Sequence, residues 1–384
     1  MESVPGLYLH VPFCRKVCPF CSFAVMRDNP SRHVTYLSYL KEELKLLRRN
    51  TSLDFSAVES IYIGGGTPSI LNDREILDLL NWVDTQAGLN GDIQRSMEIN
   101  PEDASLSYLE RLKKAGITRI SLGVQSFDDM NLDRLERQHS GKEALTALEN
   151  VMHAGFDDLN IDLMLGFPGQ STRTILSDIK QALELSPKHI SVYWLDIGPK
   201  SRWNRNADLV RWIEDNEAEN AETYLEVSQY LTSTGFIHYE VSNFCRPGFE
   251  SRQNSIYWNN KNWIGIGPGA HSHIHPHRWG NCRRLVDYGS LIELGKNPYE
   301  FYETLDTVQQ RDEDLMLALR TKKGLHLANY ADKHKVSYND AWSRQVEIYM
   351  EAGLLVKNHA RLIPTVKGFL MADEMSSSLA LCFD

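Results

Sequence analysis

Three of the six cysteines of this 384-residue chain, Cys14, Cys18 and Cys21, crowd into HVPFCRKVCPFCSF, residues 10–23. Sulfur ligands packed this closely suit a metal. A structural zinc site normally has four ligands, often as two separated pairs, so a distant histidine or cysteine would have to complete one here. Three thiolates alone can hold a [4Fe–4S] cluster, whose remaining iron keeps an open position for a small molecule. Cys245, Cys282 and Cys382 stand apart and read as small buried hydrophobes. The N-terminus MESVPGLYLH lacks the basic and apolar pattern of a secretory leader, and no apolar run reaches the roughly 18 residues of a spanning helix. A reducing cytoplasm is the expected setting, where clustered cysteines serve metal or redox chemistry rather than disulfides.

Other reactive or ligand-binding residue types fall at the ends of β-like runs. Gly64-Gly65-Gly66-Thr67-Pro68 closes one such run, and its glycines would let the backbone approach a ligand and offer N–H donors. Glu98 closes the next, Gln125 the next again, Asp162 lies within a fourth, and Arg137 is expected on a helical stretch. Any one of these could be a solvated or capping residue. Their recurrence at successive strand ends points to a site, because barrels keep their chemistry there.

The elements that must position them follow from periodicity. GLYLHV (6–11), SIYIGGG (60–66), RSMEIN (95–100), TRISLGV (118–124), LNIDLML (159–165) and HISVYWL (189–195) read as strands. Between them lie amphipathic helices. Leu37, Leu40, Leu44 and Leu47 share one face within 33–49; Leu106, Leu109 and Leu112 do so within 104–115, where Gly116 suits a C-terminal cap. Six strand–helix units imply a parallel sheet with right-handed crossovers. They are too few for a full eight-stranded barrel, so the fold class is α/β, a partial open (βα)6 barrel over 1–235, with a flat doubly wound sheet as the alternative.

The pattern changes near Gly235, and 236–384 is expected to be a small α+β region. Residues 236–300, rich in Asn, Trp, Tyr, His and Gly, suit loops and short strands. DEDLMLALR, LHLANYADKH and YNDAWSRQVEIYMEAG read as helices and LLVKNHARLIPT as a hairpin about Asn358–His359, so residues from about 311 to 375 resemble a winged-helix module. A net charge of −10 and the lack of clustered Lys and Arg make it a packing module rather than a nucleic-acid binder.

The cysteine triplet after a first strand, with Phe20 before its last cysteine, resembles the radical S-adenosylmethionine (SAM) superfamily. The runs YLHVPFCRKVCPFCSF, YIGGGTPSIL, EINPE, ISLGVQSF, NIDLMLGFPGQ, YEVSNF and YWNNKNWIGIGPGAHS resemble its oxygen-independent coproporphyrinogen III oxidase-like branch, over residues 5 to about 370. The resemblance implies a [4Fe–4S] cluster on Cys14, Cys18 and Cys21. It implies S-adenosylmethionine on the open iron, with Tyr8, Phe20, Gly66, Thr67, Glu98, Gln125, Arg137 and Asp162 around it. It also implies electron transfer that cleaves the sulfonium to a deoxyadenosyl radical, and an electron donor such as flavodoxin or ferredoxin.

Within the branch, the early Tyr8 and the Ser22-Phe23 pair after the third cysteine depart from the decarboxylases, which usually have a longer leading segment and a further cysteine. Both resemble the heme chaperones of the HemW group, which implies heme, or another tetrapyrrole, and heme-acceptor proteins as partners. One residue departs from that group as well. Its H-N-x-x-Y-W motif carries a histidine implicated in heme binding, and this chain has Gln253 there, in RQNSIYW. An amide is a poor iron ligand, so His271 in GPGAHS becomes the candidate. His271, His273, His275 and His277 alternate and would share one face of an extended strand, unless they merely edge a polar loop. Coproporphyrinogen III decarboxylation, radical C-methyl transfer or cyclopropane formation with two SAM molecules, and a winged-helix binding protein with a vestigial barrel are the competing functions.

Overall fold

In the computed structural model, which describes residues 2–89 and 91–383, all six expected strands form. They are β1 (Gly6–Val11), β2 (Ser60–Gly65), β3 (Gln94–Ile99), β4 (Arg119–Gln125), β5 (Asp158–Leu165) and β6 (His189–Trp194). Each runs parallel to the next. The crossovers are α1 (His33–Asn50), α2 (Asp73–Ala87), α3 (Leu106–Lys114), α4 (Gly141–His153) and α5 (Thr172–Glu184). Capping boxes start α2 at Asn72 and α4 at Ser140, each with a glutamate three residues on.

Alternation along the strands separates two faces. Leu7, Leu9, Ile61, Ile63, Met97, Ile99, Ile161 and Leu163 are buried in one core with Leu40, Leu44 and Leu109 of the covering helices. Leu106, expected on that helical face, is exposed at the first residue of α3, and Tyr108 takes a buried place instead. The opposite strand face is polar: Tyr8, His10, Ser60, Tyr62, Ser96, Glu98, Ser121, Asn160, Asp162, His189 and Ser191. Buried polar groups are tolerated where they pair, and many of these do. Tyr62 donates to Glu98 at 2.9 Å, Ser121 to Asp162 at 2.9 Å and Asn160 to Ser191 at 3.0 Å, and His189 Nδ1 bonds Asn160 at 2.6 Å.

The sheet stays open. Beyond β6 it gains β8 (Asn243–Cys245) and β7 (Ile237–Glu240). Beyond β1 it gains β9 (Trp263–Ile266), parallel, and then β10 (His271–Ile274), β11 (His277–Asn281) and β12 (Tyr299–Thr304), antiparallel. Among the described residues it has 12 strands, and it runs on without interruption across residue 235. After α6 (Glu217–Ser233), the short helix α7 (Arg252–Trp258) packs at the N-terminal ends of the strands. There the Arg252 N–H donates to Gln94 at 2.9 Å, and Gln253 and Ile256 lie against Gly6. One end of the open barrel is therefore plugged, and ligands are left the other.

Past α8 (Leu285–Glu293), a second core gathers Leu315, Leu319, Tyr330, Trp342, Leu355 and Leu362. It lies among α9 (Thr307–Ala318), β13 (Leu325–His326), α10 (Leu327–His334), α11 (Asp340–Glu351), β14 (Leu355–Asn358) and β15 (Arg361–Pro364). β13 and β14 both pair antiparallel with β15, and the hairpin turns through His359 at φ 50°, so the winged-helix-like order holds. Among the described residues, no helix is long and apolar enough to cross a membrane.

One buried carboxylate ties the two sides of β1 together. Glu43 on α1 accepts from the Gly267 N–H at 2.8 Å, from Tyr288 at 2.5 Å and from Asn281 at 2.5 Å. It thereby anchors the Gly267–Ala270 turn, where a Cβ on Gly269 (φ 76°) would lie 2.2 Å from Ala24 beside the cysteine loop. Burial pushes Glu43 up from 4.5 to about 7. The folded chain thus keeps a proton that the unfolded chain has released, so this stabilisation is complete below about pH 4.5 and is lost as pH rises through about 7. A shift of that size corresponds to at most about 3 kcal/mol. Urea midpoints at pH 5 and pH 8 should therefore differ less in Glu43→Gln than in the wild type; an equal difference would remove Glu43 from the pH dependence.

Candidate functional site

The cysteine loop leaves the open end of β1. Cys14 is buried, Cys18 and Cys21 are half-buried, and the Cys21 N–H closes a turn onto the Cys18 carbonyl at 3.2 Å. The three lie close enough for charge on Cys21 and Cys18 to oppose ionisation of Cys14, after burial, which pushes its thiol up to about 12. Among the described residues, no group of three or more His, Cys, Asp and Glu side chains is already closed around a single ion position. The loop is held from several directions. Trp203 N–H donates to Pro19 at 2.9 Å, and Arg283, more than 250 residues downstream, donates to Ser22 at 2.6 Å.

The glycine run meets this loop directly. The Gly66 and Thr67 N–H groups donate to the carbonyls of Val11 and Phe13, each at 2.7 Å. A Cβ on Gly66 would stand 2.5 Å from the Phe13 carbonyl and 3.0 Å from Cys14 Sγ, so glycine is required for the approach. Gly65 N–H is also engaged, by Glu98 at 3.0 Å. This corrects the expectation that these N–H groups await a ligand: those of Gly66 and Thr67 join the end of β2 to the segment entering the cysteine loop, and that of Gly65 joins it to Glu98 on β3. The Gly66 carbonyl, in contrast, accepts no hydrogen bond among the described residues.

A chain of bonds links two of the cysteines. Thr67 Oγ1 donates to Cys14 Sγ at 3.6 Å, and Asn100 Nδ2 donates to Thr67 Oγ1 at 3.2 Å. Arg137 Nη2 donates to Asn100 Oδ1 at 2.8 Å and to the Gly123 carbonyl at 2.9 Å, and its Nη1 reaches Cys18 Sγ at 3.6 Å. Arg137 Nε is buried with no acceptor among the described residues, a donor placed for an anionic group. Contrary to expectation, Arg137 is not helical. It sits in the loop between the short helix Asp129–Arg134 and α4, after Glu136 at φ 54°.

The other expected residues surround this chain. Glu98 lies under Gly64 and Gly65, where burial and then Asp162 raise it to about 7. Asp162, itself pushed up by burial, bonds to Ser121 and Asn160 along the polar face rather than to the cysteine loop. Tyr8 donates to His10 Nδ1 at 3.0 Å, and His10 Nε2–H donates to Ala24 at 2.9 Å; burial lowers His10 to about 4, so it is neutral. Phe20 packs on Trp203, ring centroids 5.8 Å apart. Gln125 ends β4 at φ 69°, a left-handed conformation uncommon for residues other than glycine. Asn100, His10 and Arg283 were not singled out from the sequence. Asn100 lies inside the quoted EINPE motif, whereas nothing local marks Arg283.

The histidines do not share one face. β10 ends at Ile274, and the His275–Pro276 turn carries His277 onto β11. His271 is exposed at the open end, its ring edge-on to Phe301 at 5.4 Å; desolvation and then the Arg283 charge push its pKa down. His273 is buried and stacked on Trp263 at 4.8 Å, and His277 Nδ1 bonds Thr304 at 2.9 Å. Gln253 lies on α7, 1% exposed, at the plugged end of the barrel away from the cysteines. A macrocycle has no entry there.

The family model of the radical SAM superfamily matches residues 8–182. The heme chaperone HemW of Bacillus subtilis is 31% identical over 370 residues, 96% of this chain and 97% of that protein. The heme chaperone HemW of Mycobacterium tuberculosis is 33% identical over 97% of this chain and 94% of its own. The solved structure of coproporphyrinogen III oxidase (HemN) from Escherichia coli, a radical SAM enzyme, matches with a TM-score of 0.80 at 22% identity. It covers 100% of this chain and 90% of that one, so the fold is shared from end to end.

Proposed function

Because the chain belongs to the radical SAM superfamily and, within it, to the family of the heme chaperone HemW, we propose that it binds heme and passes it to acceptor proteins in the cytoplasm. In this reading a [4Fe–4S] cluster and S-adenosylmethionine occupy the open end of the barrel. The observation that supports the site best is the chain of bonds from Cys14 through Thr67, Asn100 and Arg137 to Cys18. The bound cluster supplies one-electron reduction of the sulfonium, fed by a flavodoxin or ferredoxin. The residues of this chain do the rest. Cys14, Cys18 and Cys21 would hold the cluster as thiolates, each binding iron with loss of its proton. Thr67 hydrogen-bonds the Cys14 sulfur, Arg137 Nε offers a donor to an anion, and the Gly66 carbonyl offers an acceptor to an ammonium. Tyr8, Phe20, Glu98, Gln125 and Asp162 line the remaining positions.

We assign cofactor binding to 1–235 and heme handling to 236–384, with the module at about 311–375 packing rather than binding DNA. His271 is the proposed iron ligand at the open end, since Gln253 is both the wrong ligand and closed off. Titration with hemin, followed by the Soret band, tests this. His271→Ala should remove an equivalent of bound heme, and Gln253→His should gain none. Gain only in Gln253→His would contradict the His271 assignment. No heme binding, together with conversion of coproporphyrinogen III to protoporphyrinogen IX, would make the chain a decarboxylase.

A further inference from the structure

Arg283 lies between the cysteine loop and His271. Pairing of β10 with β11 runs on past the start of β10. The Asn281 N–H donates to the Ala270 carbonyl at 2.9 Å, and the Gly269 N–H donates to the Cys282 carbonyl at 3.1 Å. The next residue, Arg283, therefore starts beside Gly269, where an added Cβ would stand 3.8 Å from Arg283 Cγ and 2.2 Å from Ala24. Glycine at this turn lets the hairpin, the arginine and the cysteine loop meet. Arg283 Nη2 then donates to the Ser22 carbonyl, one residue past Cys21, at 2.6 Å. After burial, which dominates each of them, the Arg283 charge acts on Cys21, His10 and His271.

That charge has no counter-ion. Of the arginines on and just past β11, Arg278 pairs with Glu303 at 2.6 Å and Glu313 at 3.0 Å, and Arg284 with Asp287 at 3.6 Å. Arg283, half-buried, has the Ser22 carbonyl and no carboxylate among the described residues. A guanidinium presents its N–H donors as a fork that fits a carboxylate through two parallel bonds, and one carbonyl leaves most of that fork unused. A partly desolvated cation without a counter-ion favours the arrival of an anion. Position selects the anion. Arg283 follows Gly280, the residue opposite His271, by three positions, roughly 10 Å along an extended chain. That is comparable with the span from the iron of a heme to its propionate carboxylates. Phe301, edge-on to His271 at 5.4 Å and 40% exposed, adds apolar surface for the ring.

We propose that Arg283 is the carboxylate anchor of the heme site, pairing with a propionate of the macrocycle whose iron His271 ligates. The inference rests on the heme reading above and adds to it what the site selects, a tetrapyrrole with a free carboxylate. It also sets the orientation of the ligand. Because Arg283 already holds Ser22, the propionate edge of the ring is turned toward the cysteine loop and the opposite edge away from it.

The test is Soret-band titration of wild type, Arg283→Met, Arg283→Lys and His271→Ala with two probes. One is hemin; the other is iron protoporphyrin IX dimethyl ester, whose esterified propionates carry no charge. Wild type should bind hemin at least about tenfold more tightly than the diester, the size of one charge-assisted hydrogen bond. Arg283→Met should lower hemin affinity to that of the diester and leave the diester unchanged. Arg283→Lys should keep part of the difference, since it keeps a cation without the fork. His271→Ala should lose both probes. Equal binding of the two probes by wild type would overturn the anchor without recourse to any variant. Equal weakening of both in Arg283→Met would also overturn it, reducing Arg283 to a support of the cysteine loop. Either result leaves the chaperone reading in place, whereas binding of neither probe by wild type would overturn both.

Discussion

Alanine at any one of Cys14, Cys18 or Cys21 is expected to leave the anaerobically reconstituted protein colourless, against about four irons and four sulfides per chain in the wild type. The three thiols share one loop, pinned by Gly66, Trp203 and Arg283. Losing one thiolate leaves two irons without a protein ligand. The effect should therefore be all or none rather than graded, while the fold, whose core lies on the other face of the strands, should survive with near-native circular dichroism. Stoichiometric zinc without labile sulfide in the wild type would contradict the cluster.

Arg137→Met is expected to have the next largest effect. The substitution leaves the Asn100 Oδ1 and the Gly123 carbonyl without their donor. Each such loss costs about 1–3 kcal/mol, so the melting temperature should fall by several degrees. Binding should suffer more. The unpaired Nε and the contact to Cys18 disappear together, and S-adenosylmethionine affinity should weaken by at least about tenfold, the equivalent of ~1.4 kcal/mol. Arg137→Lys should not restore it, because a single ammonium cannot span Asn100, Gly123 and Cys18 at once. Calorimetry on reconstituted protein, paired with melting curves, separates the two consequences. Rescue by lysine would show that only the charge matters.

Much of this was legible in the sequence, and the misses have physical causes. The six strands lie within about two residues of their expected ranges, because strand runs of Val, Ile and Leu bounded by glycine and by helical spacing leave little freedom. The cysteine triplet, Thr67 and Arg137 were found as types and do meet. Their supports were not. Arg137 left its expected helix because Glu136 takes a left-handed conformation, which no pattern announces. Alternation put four histidines on one face only while the chain stayed extended, and the turn at His275–Pro276 ended that. The N–H groups of Gly65, Gly66 and Thr67 looked free because their partners, Glu98, Val11 and Phe13, are more than thirty residues away in the chain. Arg283, on the far side of the chain, illustrates the same limit: spacing reports neighbours along the chain and not across the fold.

The central claim is that the open end of this barrel is a cofactor site assembled around Cys14, Thr67, Asn100, Arg137 and Cys18. Its most direct test is calorimetric titration of S-adenosylmethionine into anaerobically reconstituted protein, wild type beside Cys14→Ala. The account predicts one molecule bound per cluster-bearing chain and no heat in the variant. A stoichiometry of two would move the assignment toward methyl transfer or cyclopropane formation. No heat from a wild type carrying its full iron and sulfide would contradict the account.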